Sequence, residues 1–256
     1  MKLVETNKGV SVFNGNSCVG KLRGESVSDG LYIIFKIEVF DNLLKDETGK
    51  ELVTWVRTSY PKKRILCLSW DKKEDIEYEA ILKSLGFKID FEKAYYSREL
   101  ENMEYIEEPR LLYRPVQDVG RDIFSQILDE VRIGDHAETK SIPIEENFPL
   151  LLESMNESWA GIWKVAYFEN EIVGIVLPDI FPEKPHMGSL AYFGVVPKFR
   201  NKNFGTILHR KGLSLIKELK ANEYLDSTHI KNLSMIKIFE ANGCKLKGIR
   251  RHWTNE

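Results

Sequence analysis

The segment GVVPKFRNKNFG (194–205) is the part of this 256-residue chain best equipped for chemistry. It runs from an apolar strand pattern through a loop of Asn, Lys and Arg straight into a helical pattern. The first four N–H groups of a helix lack internal partners, and the helix dipole adds about half a positive charge there. Such a junction is an anion site, and phosphate is its usual occupant. Lys198, Arg200, Lys202, Arg210 and Lys211 crowd the same turn as flexible cations, while Gly205 lets backbone approach a ligand closely. A solvated basic helix start is the bland alternative.

Competing chemistries find no motif. The chain has no GxxxxGK[ST], HExxH or GxSxG pattern, no paired Cys/His spacing, and no second ligand at a helical interval from His136, so no metal is expected. Cys18, Cys67 and Cys244 are isolated and read as small buried hydrophobes rather than a disulfide framework.

The run GVVPKFRNKNFG resembles the acetyl-CoA-binding motif of the GNAT N-acetyltransferase superfamily, V-x-P-x-x-R/Q-x-x-G-x-G/A. Val195, Pro197, Arg200 and Gly205 match it, and Asn203 replaces the first motif glycine. Asn is the non-glycine residue that best tolerates a positive φ. The resemblance extends over about residues 110–253 and includes NLSMIKIFEANGC (232–244), which is similar to the second cofactor helix of the family. It implies acetyl-CoA as co-substrate. Backbone groups of Val195 and Val196 would hold the pantetheine arm. The amides of Arg200, Asn201, Lys202, Asn203, Phe204, Gly205 and Thr206 would hold the pyrophosphate, and Asn232 would lie near the pantetheine or the thioester.

Acetyl transfer needs an uncharged amine, a stabilised oxyanion and a proton for the departing thiolate. Many members of the family carry a tyrosine acid four residues before the final helix glycine; here that position is Phe239. Tyr192 and His186 are the catalytic candidates. Tyr192 lies three residues before Val195 and is alternatively a core tyrosine. His186, with Asp179, flanks the loop before that strand and titrates in the useful range, but also reads as a solvated loop residue. His209 reads as a phosphate contact or surface group. Lys245, Lys247, Arg250, Arg251 and His252 make the last strand basic, either a solvated edge or a site for an acidic substrate or the CoA 3′-phosphate.

The elements that must position these groups form an α/β (α+β, mixed-sheet) pattern. Strands are expected over SVFNGNSCVGKLRG and LYIIFKIEVF, with the turn-rich GESVSDG between them, and over ILCLSW and FKIDFEKAYYSREL. A helix with apolar Tyr78, Ile81, Leu82 and Leu85 follows Asp71 as cap and stops at Gly86. The acidic stretch 99–109 reads as a linker. Beyond it the expectation is a strand at RLLYRPV, helices over DIFSQILDEV and PIEENFPLLLESMN, and strands WKVAYFEN and EIVGIVLP joined by a turn at Asn170–Glu171. The strand SLAYFGVV comes next. A helix over 204–221, the strand EYLDST, a helix over 232–242 and a last strand CKLKGIRRHW close the chain. Gly212, on the apolar face of the first of these helices, reads as a point of close packing.

The two halves repeat. Gly205 follows Gly49 by 156 residues and Gly243 follows Gly86 by 157, with helix, strand and helix between each pair. We therefore expect a partial, degenerate GNAT-like unit at 1–105 and a GNAT acetyltransferase domain at 110–256. The matching loop FDNLLKDETGK carries Asp41, Asp46 and Glu47, which would repel phosphate, so one cofactor site is expected.

Composition narrows the partners. With 43% hydrophobic residues, 30% charged residues and a net charge of −2, the chain can build a core and lacks the basic excess of a general nucleic-acid binder. No apolar run reaches the ~18 residues that span a bilayer, and the start has no signal-peptide core, so a cytoplasmic protein without membrane partner is expected. The leading expectation is an N-acetyltransferase acting on a small-molecule or peptide amine. The alternatives are a non-catalytic GNAT-like module that binds acyl-CoA or a partner protein, and a transferase using an aminoacyl donor.

Overall fold

The computed structural model describes residues 1–6, 8–28, 30–104, 108–134 and 159–255. The helix expected over 143–156, together with His136, Glu153 and Glu157, lies outside the described residues. The chain divides into two compact units, Met1–Ala94 with Gly248–Glu256, and Tyr95–Lys247.

In the first unit β1 (Lys2–Thr6), β2 (Gly9–Asn14), β3 (Ser17–Ser28) and β4 (Leu31–Val39) form an antiparallel series. β5 (Arg64–Trp70) joins β4 in parallel, and the end of the last strand, β12 (Lys245–Thr254), pairs antiparallel with β5 from Arg250↔Trp70 to Trp253↔Cys67. β6 is Lys88–Glu99. Helices α1 (Lys45–Ser59) and α2 (Ile76–Ser84) bury Leu52, Val53, Val56, Ile81 and Leu82 against a sheet face that carries Val10, Val12, Leu22, Ile34 and Trp253. Gly86, at φ +83°, ends the α2 segment as expected.

In the second unit β7 (Leu111–Pro115), β8 (Lys164–Phe168), β9 (Glu171–Ile180) and β10 (Met187–Val195) are antiparallel neighbours, and β11 (Glu223–His229) lies parallel to β10. β8 and β9 are joined by Glu169 and Asn170, both at positive φ, the two-residue turn whose twist suits a hairpin. The helices are α3 (Val116–Val119), α4 (Arg121–Arg132), α5 (Trp159–Ile162), α6 (Phe204–Glu218) and α7 (Leu233–Ala241). On α4, Phe124, Ile127, Leu128 and Val131 form one buried stripe at helical spacing. On α6, a Cβ at Gly212 would stand 2.7 Å from Leu190 Cδ2 and 3.1 Å from Val176 Cγ1, so this glycine lets the helix settle onto β9 and β10.

Several local expectations change. β3 runs to Ser28 and absorbs most of the GESVSDG stretch. The β8–β9 turn sits one residue earlier than expected. Asp71 does not cap α2; its carboxylate holds Arg251 at 3.0 Å, and Asp75 stands at the cap position with its side chain on the Trp70 N–H at 2.6 Å. Within the 99–109 stretch Leu100 and Met103 are buried, because Leu100 N–H donates to Asn222 O at 2.8 Å and anchors the segment. The basic last strand is no solvated edge. Arg251 bonds Glu79 (2.8 Å), Glu92 (3.0 Å) and Asp71, while Trp253 Nε1 donates to Ser69 Oγ at 2.9 Å. Those contacts also put Gly248–Glu256 in the first unit rather than with 110–247.

Among the described residues no helix is long and apolar enough to cross a membrane, and no cluster of His, Cys, Asp or Glu is arranged to hold a metal ion. The three cysteines are free thiols; Cys67 and Cys244 are buried and Cys18 is half-buried.

Candidate functional site

A cavity of about 520 Å³ opens beside the end of β10 in the second unit. Tyr192, Phe193, Gly194 and Val195 of β10 form one wall. Arg200, Asn201, Asn203, Gly205 and Thr206 form the floor, and Asn232, Met235 and Ile238 of the α7 segment close it. The cavity exists because β10 and β11 part company. Their parallel register ends at Gly188↔Tyr224, well before the strands do. The freed Leu190 N–H is taken by the Asp226 carboxylate at 3.2 Å instead of by backbone. A β-bulge in β10, where its register with β9 shifts between Leu190 and Tyr192, then re-aims the strand, and Tyr192 reaches the cavity.

The floor suits an anion. Asn203 has a φ of 67°, the left-handed conformation expected of an Asn that replaces the motif glycine, and Asn201 has a φ of 61° as well. Asn203 makes no side-chain cap on α6, and the first turn of that helix holds no acidic residue, so its leading N–H groups face the cavity end. A Cβ on Gly205 would lie 2.9 Å from Ile238 Cδ1, so this glycine brings α6 and α7 together as well as leaving room for a ligand. Asn232 caps α7, its Oδ1 accepting from Met235 N–H at 3.1 Å, and still lines the cavity.

Seven of the ten expected cofactor residues thus meet in one place: Val195, Arg200, Asn201, Asn203, Gly205, Thr206 and Asn232. Three do not. Val196 spends its N–H on Val173 O at 2.9 Å and its carbonyl on Phe199 N–H at 3.0 Å. Phe204 is buried among Phe168 and Phe199. Lys202 is exposed, with its ammonium 5.2 Å from the centre of the Phe199 ring.

The expected cations are mostly employed elsewhere. Arg200 donates to Val195 O (3.0 Å), Val131 O (2.9 Å) and Ile133 O (2.5 Å), so its guanidinium fastens the C-terminal carbonyls of α4 to the loop. Lys198 pairs with Glu171, Arg210 with Asn242 Oδ1 at 3.2 Å, and the Lys211 ammonium lies over the Tyr113 ring. Lys237 on α7 lines the cavity, and neither it nor Val131, Gly134, Ser234, Met235 and Ile238 was marked by the sequence pattern. The helical spacing of 234, 235, 237 and 238 after Asn232 was the available signal.

Among the catalytic candidates, Tyr192 lines the cavity, whereas His186 is exposed just before β10, at the opposite end of that strand from Val195. Asp179 is in β9, accepts from the Ile180 N–H at 2.8 Å, and burial raises its pKa; it is not part of the cavity wall. His209 is neither a surface group nor a phosphate contact. It is fully buried, and burial together with the nearby Arg98 charge pushes its pKa down to about 3. Phe239 is fully buried against Tyr96, His209 and Tyr224.

Residues 128–244 match the sequence profile of the acetyltransferase (GNAT) family. No curated protein matches the chain. Among solved structures, a GCN5-related N-acetyltransferase from Sphaerobacter thermophilus superposes with a TM-score of 0.69 at 11% identity, over 96% of this chain and 79% of that one. A tandem GNAT protein of the clavulanic acid biosynthesis pathway gives 0.62 at 13% identity, over 96% and 81%. A GCN5-related N-acetyltransferase from Kribbella flavida gives 0.60 at 11% identity, over 99% and 88%. At these identities the superpositions speak for the fold, and the profile match speaks for the segment that builds the cavity: the chain carries a GNAT acetyltransferase domain.

Proposed function

We propose that this chain is an N-acetyltransferase that moves an acetyl group from acetyl-CoA to a primary amine on a small molecule or peptide, with its one cofactor site in the second unit. The observation that carries the reading is the open start of α6: unblocked N–H groups and two left-handed asparagines at the floor of a cavity bounded by Val195, Asn232 and Lys237. The pyrophosphate would lie on the amides from Asn201 to Thr206, and the arm would run along Val195 toward Tyr192. In the reaction the amine nitrogen bonds the thioester carbon, the C–S bond breaks, and the amine proton leaves while the thiolate gains one. Tyr192, on the cavity wall, is the residue to which we assign that exchange. Residues 1–105 we read as a degenerate GNAT-like unit, and the three free thiols fit a cytoplasmic setting.

One observation favours a second reading, a non-catalytic module that binds acyl-CoA. The position of the usual tyrosine acid is Phe239, a buried ring with no proton to give. Calorimetric titration with acetyl-CoA, against free CoA, tests the shared part of both readings. Binding at one site per chain is expected. Failure of both ligands to bind removes the cofactor site. Binding without acetyl transfer to any amine of a broad panel leaves the second reading.

A further inference from the structure

A continuous chain of side-chain hydrogen bonds runs beneath the cavity, from the floor to the bulged wall. Asn242 Nδ2 donates to Thr206 O at 3.0 Å and meets His209 Nδ1 at 3.0 Å. His209 Nε2 meets the Tyr224 hydroxyl at 3.0 Å, Tyr224 donates to Asp226 Oδ2 at 3.0 Å, and Asp226 accepts the Leu190 N–H. Thr206 is on the cavity floor, and Leu190 is the residue at which the bulge before Tyr192 begins.

The direction of every link is fixed by partners that can act in one way only. Arg210 Nε is a donor and occupies Asn242 Oδ1, so the amide nitrogen of Asn242 faces Thr206 and His209. His209 must then accept at Nδ1 and carry its proton at Nε2. Tyr224 receives that proton's hydrogen bond and passes its own to the Asp226 carboxylate, which also takes the Ser227 N–H at 2.7 Å. The depressed pKa of His209 agrees with a neutral ring.

The first half of the chain offers an internal control. β4 and β10 are nine-residue strands offset by 156, and α2 and α7 are nine-residue helices offset by 157. The parallel registers Leu31↔Arg64 and Met187↔Glu223 align Ile65 with Tyr224 and Cys67 with Asp226. The buried stripe of α1 places Val53 at the His209 position, and the α2 offset places Leu85 at Asn242. Every polar member of the chain has an apolar counterpart in the half whose helix start carries acids. These four positions of the frame can therefore be filled without polar groups, and polar groups at them accompany the cavity.

We propose that Asn242, His209, Tyr224 and Asp226 are positioning residues that lock the bulge of β10, and with it Tyr192, in register with the anion-binding start of α6. This rests on the reading of the cavity as an acyl-CoA site. Its consequence is selective: the phosphates sit at the α6 end, which the network leaves intact when cut near Asp226, whereas the acyl group is the part that meets the Tyr192 end.

Two substitutions cut the chain without emptying it, Tyr224→Phe and Asp226→Asn. Acetyl-CoA binding is expected to weaken at least tenfold in each, and binding of free CoA less than threefold, in protein shown to be folded by its amide spectrum. In histidine-labelled wild type the 15N spectrum should show His209 as the neutral Nε2–H tautomer at pH 5–8, and the Leu190 and Tyr192 amide signals should move in both variants. Equal loss for the two ligands, no loss for either, or a His209 protonated at Nδ1 overturns the proposal. Should wild type bind neither ligand, the cofactor reading falls by itself, and unmoved Leu190 and Tyr192 amides would then be what removes the positioning role.

Discussion

β4 and β10 each lie antiparallel to the strand before and parallel to the strand after, and each is followed by a fifteen-residue helix, a seven-residue strand and a nine-residue helix. The same frame reaches opposite results. In the second half Tyr192, on the strand beyond the point where the parallel pairing ends, and Asn232, at the cap of α7, both line the cavity. Their counterparts in the first half, by the offsets of 156 and 157, are Lys36 and Asp75. These two form an ion pair, and Asp75 also takes the Trp70 N–H. The helix starts diverge in the same sense. α1 carries Asp46 and Glu47 in its first turn behind an Asp41-capped turn, so its dipole is already answered, while α6 has no acid there. An opening in this frame is thus kept by leaving donors unanswered, and closed by supplying the charge internally.

The glycines that match across the halves give the sharpest way to break this contrast. Gly49 faces Ile81 Cγ2 and Gly205 faces Ile238 Cδ1, with added Cβ atoms at 2.8 and 2.9 Å. The steric demand is alike; the ligand demand is not. Gly205→Glu puts a carboxylate on the cavity floor, and acetyl-CoA affinity should fall by well over tenfold, ~1.4 kcal/mol or more. Gly49→Glu forces a charge into a buried position and should cost several kcal/mol of stability, yet the folded fraction should bind acetyl-CoA within twofold of wild type. Calorimetry on both variants decides, and a comparable affinity loss from Gly49→Glu would dissolve the distinction between the halves.

Next in size is the ion pair that fills the first half. Asp75 is buried and Lys36 largely so. Removing one partner strands the other charge, so Asp75→Ala should lower unfolding free energy by about 3 kcal/mol. Denaturant titration reads this directly. Lys36→Met with Asp75→Leu should recover most of the loss, because an apolar pair of similar volume replaces a desolvated one. A recovery absent in the double variant would mean that the Trp70 N–H, left without Asp75, carries the cost.

How much of this was legible in the sequence follows from where the information lies. Strands, helices and the Gly86 and Gly243 stops are local, set by periodicity and positive φ, and several residues of the pattern 194–208 line the cavity. The glycine spacing was visible because Gly49 and Gly205 each admit an isoleucine of the next helix, and Gly86 and Gly243 each turn the chain at positive φ. What the pattern missed is tertiary. Arg200 sits in the motif as a phosphate cation would, but two carbonyls at the end of α4 and that of Val195 claim it. His209 falls on the buried stripe of α6, next to Leu208 and Gly212, and its burial was readable from that stripe. Its partners Asn242 and Tyr224 come from other elements, and no spacing announces them.

The smallest predicted effect separates His209, which is fully buried, from His252, which is half-buried. His209 has a partner on each ring nitrogen. His252, in the first unit, stacks on Phe91 with centroids 4.1 Å apart, and both of its nitrogens are buried without a hydrogen-bond partner. Burial, with Lys93 and Arg250 nearby, pushes its pKa down to about 4. The folded protein therefore takes up this proton less readily than the unfolded chain. Stability from this site is complete above pH ~6.5 and is lost as pH falls toward 4. His252→Phe keeps the stacked ring and removes two unsatisfied nitrogens, so it should stabilise by about 1 kcal/mol at pH 7. At pH 5 the gain should be larger by about another 1 kcal/mol, a figure discounted for the solvent that reaches this ring. His209→Phe removes a ring whose bonds are all made and should destabilise at both pH values. Urea midpoints at the two pH values measure all four quantities. A destabilising His252→Phe would show that this ring, too, is held by a hydrogen bond.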